Sequence, residues 1–169
     1  SHLEHNFMFG IGARANTYAA VKKVVPTVKN VYMPNSGSGQ LIVYVSIKKR
    51  VPGESKRAGW AALNAHANHK IAVVVDDDID VYNEEEVWWA VSTRCRPDVD
   101  VDMVPHIASA IRDPSSYDET GLKRGNLNTK MLIDATRPVE LPFATRITQD
   151  PETWQRMHLK EYIRDYKRI

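Results

Sequence analysis

Four aspartates fall within five residues: Asp76, Asp77, Asp78 and Asp80. Carboxylate oxygens suit magnesium, manganese or calcium, so the cluster is a candidate metal site. Its spacing does not match a calcium-binding loop. The competing reading is turn formation, helix capping and ion pairs to Arg94 or Arg96, and it is preferred because surface carboxylates far outnumber metal sites. His66 and His69 stand three residues apart, and His106 lies further on. Two histidines at that spacing lack the further ligands a metal needs, so they read as helix-end residues facing the dipole. Cys95 lies between Arg94 and Arg96, which favours a thiolate, but it also closes a helix, which opposes one. Asn35 to Gly39 (NSGSG) could cradle a phosphate through backbone amides. It lacks the lysine and the following helix of a P-loop, so a hairpin turn is the better reading. Lys123, Arg124 and Lys130 could meet an anionic substrate or form a solvated loop face, and the sequence leaves both open. No complete catalytic constellation emerges from these motifs.

The elements that must carry these residues are organised around Lys70 to Arg94. Ile71 to Val75 is a β-branched apolar run, the pattern of a strand covered on both faces. The aspartates force the chain to the surface, because a packed core rejects unpaired carboxylates. Asn83 is a good N-cap, and Glu86 stands at capping-box spacing. Val87, Trp88, Val91 and Cys95 give the following helix its expected apolar face. Upstream, Ala13 to Val25 predicts a helix with Tyr18, Val21, Val24 and Val25 as its stripe, ended by Pro26. Val28 to Met33 and Leu41 to Ile47 predict a hairpin around the NSGSG turn. Glu54 to Ala67 predicts an alanine-rich helix that makes a right-handed crossover into the Ile71 strand.

Downstream, Val99 to Val104 and Met131 to Asp134 predict two more strands. Pro105 to Thr129 between them shows no period, and an irregular stretch of that length points to a site or an interface. Asp150 and Pro151 open a last helix, with Leu159, Tyr162, Ile163, Tyr166 and Ile169 on one stripe. A terminal stripe of that kind needs something to dock against. The expected fold is α/β: a mixed β-sheet flanked by helices, with a β-hairpin, a βαβ crossover and a C-terminal helix.

Within 169 residues, 23 Lys and Arg balance 21 Asp and Glu. That near-neutrality demands neither nucleic acid nor an anionic membrane as partner. A single cysteine excludes an internal disulfide and fits a reducing, cytoplasmic setting. No apolar run reaches membrane-spanning length, and no secretory signal is visible. The polar start, Ser1 to Asn6, is set aside from fold reasoning as an expression remnant.

Several stretches together resemble the C-terminal part of UbiD-like decarboxylases. They are VYMPNSGSGQLIVYVSIKK, VVVDDDIDVYNEEEVWWAVSTRCRPDVD, TKMLIDATRP and the closing LPFATRITQDPETWQRMHLKEYI. The family pattern has an acidic DxDIDV turn, a tryptophan-bearing helix ending in TR, a P-x-x-D step and a K-x-x-x-DAT strand. The resemblance runs from about Gly12 to the end. It implies a part of an enzyme that reversibly decarboxylates aromatic or unsaturated carboxylic acids with prenylated FMN, a divalent metal (manganese or magnesium) and potassium. In that family the flavin, the metal and the catalytic residues belong to a preceding domain, to which no stretch here corresponds. Catalysis, flavin and metal are therefore not expected of this chain alone.

The resemblance also implies a division of the chain. Residues 1–11 are remnant and linker, 12–149 are the α/β C-terminal domain, and 150–169 are a helix for subunit contact in a homo-oligomer. Tyr117, Leu122, Leu127 and Lys130 are the candidates for a pocket-facing edge that closes over the acid. Leu159, Tyr162, Ile163 and Tyr166 are the candidates for subunit contact. Two alternatives stand beside this reading. One is a separately encoded accessory subunit of a (de)carboxylase complex. The other is a small metal-binding α/β protein using Asp76 to Asp80.

Overall fold

The computed structural model describes residues 3–110, 113–123, 125–144, 146–147 and 150–156, without the side chains of residues 3–10, 151 and 154–155. Helix α1 (Leu3–Val24) leads into strand β1 (Val28–Tyr32), and a single 3-10 turn at Asn35–Gly37 leads into β2 (Ile42–Ile47). Helix α2 (Glu54–Ala65), β3 (Ile71–Asp76) and α3 (Glu84–Arg94) follow. A one-turn α4 (Pro97–Asp100), β4 (Val101–Ala108), β5 (Leu127–Ala135) and α5 (Pro151–Arg156) complete the order.

The five strands lie in the order β1-β2-β3-β5-β4. β2, β3 and β5 are parallel, and β1 and β4 run antiparallel at the two edges. This is the mixed sheet expected from the sequence, with the β1–β2 hairpin and the β2–α2–β3 crossover in place. β3 is central, which explains its uninterrupted apolar run.

Side chains alternate across the sheet and build two cores. Val43, Val45, Ala72, Val74 and Leu132 pack against α1 and α2. Tyr44, Val73, Val75, Ile133 and Ala135 pack against α3 and the Ile79–Val81 turn. The result is three layers, α/β/α. On α2, Ala58, Gly59 and Ala62 are buried, and a Cβ on Gly59 would collide with Leu132 Cδ1. That glycine lets the helix backbone approach the sheet.

The structure corrects several expectations. α1 begins ten residues before Ala13. Trp88 is not on the buried face of α3: it is 46% exposed, and Val87, Ala90 and Arg94 are buried. The rotation is set by Arg94, which must face the sheet to reach two aspartates. Asn83 caps α3 by accepting from Glu85 N at 3.1 Å, but Glu86 accepts from Asp80 N instead of closing a capping box. The irregular stretch is shorter than Pro105 to Thr129. β4 runs on to Ala108 and β5 starts at Leu127, so the loop is 109–126. Pro105 escapes a ladder hydrogen bond because it lies in a bulge of an edge strand. Asp150 caps the last helix, with its carboxylate accepting from Glu152 N and Thr153 N at 3.3 and 3.2 Å. The stripe Leu159, Tyr162, Ile163 and Tyr166 lies outside the described residues.

Candidate functional site

The chemistry-bearing residues separate to the two ends of the sheet. At the carboxyl end of the parallel strands, Asp76 is the last residue of β3 and is buried, where the sequence suggested that the chain had already surfaced. Its Oδ2 accepts from Arg94 Nη1 at 2.7 Å, from Arg137 N at 2.8 Å and from Arg137 Nε at 3.3 Å. Asp78 takes a two-pronged pair from Arg94 Nη1 and Nη2 at 2.9 and 2.8 Å. Burial pushes the Asp76 carboxyl up, against the pull of Arg137 and Arg94. The Arg94 hydrogen bonds hold Asp78 down. Asp80 accepts from Tyr82 N at 2.9 Å within its own turn. The ion-pair reading of the cluster therefore holds for Arg94. Arg96 instead pairs with Asp100 at 3.6 Å.

Beside this network, Asp134 Oδ1 accepts from Thr136 N and Oγ1 at 3.0 and 2.6 Å, and Ser55 Oγ donates to Oδ2. Lys49 Nζ donates to Thr136 Oγ1 at 2.8 Å and to Arg137 O at 3.3 Å. The Asp-Ala-Thr step thus ties the end of β5 to α2. A cleft of about 520 Å³ opens here, lined among others by Lys49, Lys56, Cys95, Val99, Leu141 and Phe143. Lys56 is held by Asp102 at 3.0 Å and by Val99 O at 3.3 Å. Burial, with the Asp100 and Asp134 carboxylates nearby, pushes the Cys95 thiol up and away from a reactive thiolate.

The amino end holds a buried polar network. His69 is 1% exposed, and its Nδ1–H donates to Ala62 O at 2.8 Å. Burial pushes its pKa down to about 4, so it meets the end of α2 as a neutral ring and not as a cation facing the dipole. Lys130 Nζ donates to Leu63 O at 2.5 Å and His66 O at 3.4 Å, and burial pushes its pKa down too. Gln40 pairs with Asn68, and Asn128 with Asp113. Lys70 reaches Asp113 at 3.4 Å and Ser115, which fastens the loop to the start of β3.

The four pocket candidates do not form one cluster. Tyr117 and Leu127 exchange backbone hydrogen bonds at 3.0 and 2.9 Å. Leu122 stands at the loop tip, 86% exposed. Lys130 is turned beneath α2. Lys123 is exposed, and Arg124 lies outside the described residues. Sequence reading missed Arg137 and Arg146. Arg146 pairs with Glu86 at 3.4 Å, and its guanidinium lies 4.5 Å from the Trp89 ring centroid. A signal existed for Arg137: it follows the β5 strand directly, at the end where β3 delivers its carboxylates.

The description that fits this arrangement comes from comparison. A family model, the 3-octaprenyl-4-hydroxybenzoate carboxy-lyase C-terminal domain (UbiD_C), matches residues 6–135. The chain belongs to that family. Anhydromevalonate phosphate decarboxylase of Methanothermobacter thermautotrophicus is 39% identical over 136 residues, covering 80% of this chain and 31% of the relative. Gallate decarboxylase of Lactiplantibacillus plantarum is 30% identical over 145 residues, covering 82% and 30%. The UbiD-class enzyme HmfF from Pelotomaculum thermopropionicum, solved with FMN, superposes with a TM-score of 0.81 at 37% identity, covering 95% of this chain and 34% of that one. The chain spans about a third of the length of the relatives it matches.

The chemistry of the donor set tests whether this UbiD_C chain suits the flavin and metal of such enzymes. A flavin phosphate needs uncommitted cations or open amides, and Lys49, Lys56, Arg94 and Arg96 at the cleft are all engaged. Among the described residues no group of three or more His, Cys, Asp or Glu is placed to hold a metal ion. The cations of this cleft are therefore committed to the chain's own acceptors. Among the described residues, too, no helix is long and apolar enough to cross a membrane.

Proposed function

We propose that this chain is the part of a prenylated-FMN-dependent decarboxylase that covers the pocket of an aromatic or unsaturated carboxylic acid and joins subunits. The flavin, divalent metal and potassium are carried by the remaining two-thirds of the enzyme. The relatives named above act on carboxylic acids bearing polar substituents, gallate and anhydromevalonate phosphate, and the acid proposed here is of that class. The segment containing Leu159, Tyr162, Ile163 and Tyr166 is assigned to subunit contact on its sequence stripe.

One observation carries the pocket-covering role. The Arg14 guanidinium lies 4.9 Å from the ring of Tyr32, the last residue of β1, while Val28 N bonds Val25 O at the other end of that strand. α1 therefore runs antiparallel to β1, and its beginning lies at the amino end of the parallel strands. Loop 109–126 lies at that same end. The start of α1 and the loop carrying Tyr117 and Leu127 thus face the same end of the sheet from its two edges, the end that a preceding domain would meet. A domain placed this way can exclude water and complete a pocket without supplying the chemistry.

The test uses the full-length enzyme. Tyr117→Ala and Leu127→Ala should each shift relative kcat/KM across a panel of aromatic and unsaturated acids by about tenfold, the scale of a lost apolar contact, with flavin content unchanged. An unaltered preference profile would remove the loop from the pocket.

A further inference from the structure

Edge strand β4 holds a residue that packing does not explain. Val104 pairs with Lys130 and Ile107 with Asn128, so Pro105 and His106 together oppose the single Thr129. Within this bulge His106 has a φ of 58°. That left-handed conformation is uncommon for a residue with a Cβ, although histidine enters it more readily than most. His106 is exposed, so burial does not offset the strain. Strained residues of this kind cluster at ligand sites, and bulges re-aim a side chain away from the regular strand direction.

The re-aimed ring meets a partner. His106 N–H donates to Tyr117 Oη at 3.4 Å. The two rings meet edge to face, 6.0 Å between centroids at 78°. Tyr117 is itself pinned to β5 through both hydrogen bonds to Leu127. The pair is thus held by backbone from two strands. Tyr117 Oη accepts from the His106 backbone and keeps its own proton to donate. Among the described residues neither imidazole nitrogen has a hydrogen-bond partner. One ring nitrogen can donate while the other accepts. Phenol and imidazole together offer a donor and an acceptor, held at fixed separation, at the end of the sheet where α1 begins.

We propose that His106, positioned by the bulge and by Tyr117, hydrogen-bonds a hydroxyl substituent of the acid and so determines substrate specificity. This rests on the pocket-covering reading above and adds the group that is read.

The experiment takes the full-length enzyme and matched pairs of acids, with and without a ring or chain hydroxyl. The variants are His106→Phe, which keeps a ring but no hydrogen bond, and His106→Gly, which removes the strain as well. Both should lower the ratio of kcat/KM for the hydroxylated acid over its partner by about tenfold, mainly through KM, the scale of one hydrogen bond. His106→Gly should do so with a melting temperature unchanged or higher, which a purely structural role would not give. Equal losses on both members of each pair, or losses that follow melting temperature, overturn the proposal. If Tyr117→Ala and Leu127→Ala shift preference while the His106 variants do not, this inference fails and the pocket-covering reading stands. If none of them shifts preference, both fail.

Discussion

His69 sits where α2 gives way to β3, buried against the helix end, with His66 and the Lys130 ammonium both opposing its protonation. Its Nδ1–H is used, and its Nε2 has no partner among the described residues. Protonation there would put a second charge beside the Lys130 ammonium in a site from which water is excluded. The unfolded chain takes up this proton near pH 6.5, whereas the folded chain takes it up only near pH 4. The stability that the neutral ring contributes is therefore complete above pH 6.5 and is lost as pH falls toward 4. The difference corresponds to about 3 kcal/mol. Urea unfolding between pH 7 and 4.5 should show this decline in the wild-type chain. In His69→Gln the decline should be shallower, leaving what His66, whose pKa burial also pushes down, and the carboxylates contribute. An identical slope in both would assign the titration to another group. Asp76 shows the limit of the sequence at this scale. Its charge and its place at a strand end are legible, and so is Arg94 as a partner. Its burial is not, because that depends on Arg137, 61 residues away along the chain.

At the scale of elements, the period of each strand and helix was readable wherever one local signal decided it. The apolar run of β3, the Asn83 and Asp150 caps and the break at Pro26 all lie where the residues put them. The failures share a cause: a tertiary contact overrode local preference. α3 turns Trp88 outward so that Arg94 can face Asp76 and Asp78. β4 keeps its proline because the sheet edge tolerates a bulge. Gly59 is a sharper case, since glycine inside a helix normally costs about 1 kcal/mol relative to alanine. Here Gly59→Ala should destabilise the chain. The new methyl would meet Cδ1 of the fully buried Leu132 and would also crowd Val74 Cγ2 at 3.1 Å. Overpacking of that kind costs about 1–3 kcal/mol and exceeds the propensity gain. Adding Leu132→Val, which shortens the opposing side chain, should recover part of the loss. Chemical denaturation of the two single variants and the double variant gives the coupling. Additive effects would mean that the helix and the sheet do not touch at this point.

At the scale of the whole molecule, the two cores are separated by the sheet yet share every central strand. Val74 faces α2, and its neighbours Val73 and Val75 face α3. Removing either helix layer exposes one face of β2, β3 and β5 at once, so neither layer can leave without the sheet losing half its burial. A chain built this way should unfold as one cooperative unit, although its two surface ends are chemically distinct. Tryptophans report on the layers separately: Trp60 packs against the core under α1 and α2, and Trp89 against the core under α3. Two variants of this chain, one keeping only Trp60 and the other only Trp89, should give urea transitions that coincide with each other and with far-ultraviolet circular dichroism. If the Trp89 signal is lost at lower urea than the Trp60 signal, the α3 layer detaches on its own. The Asp76–Arg94–Asp78 network would then be a local clasp, and the cleft beside it a hinge, because Arg94, which joins α3 to Asp76 of the sheet, also lines the cleft.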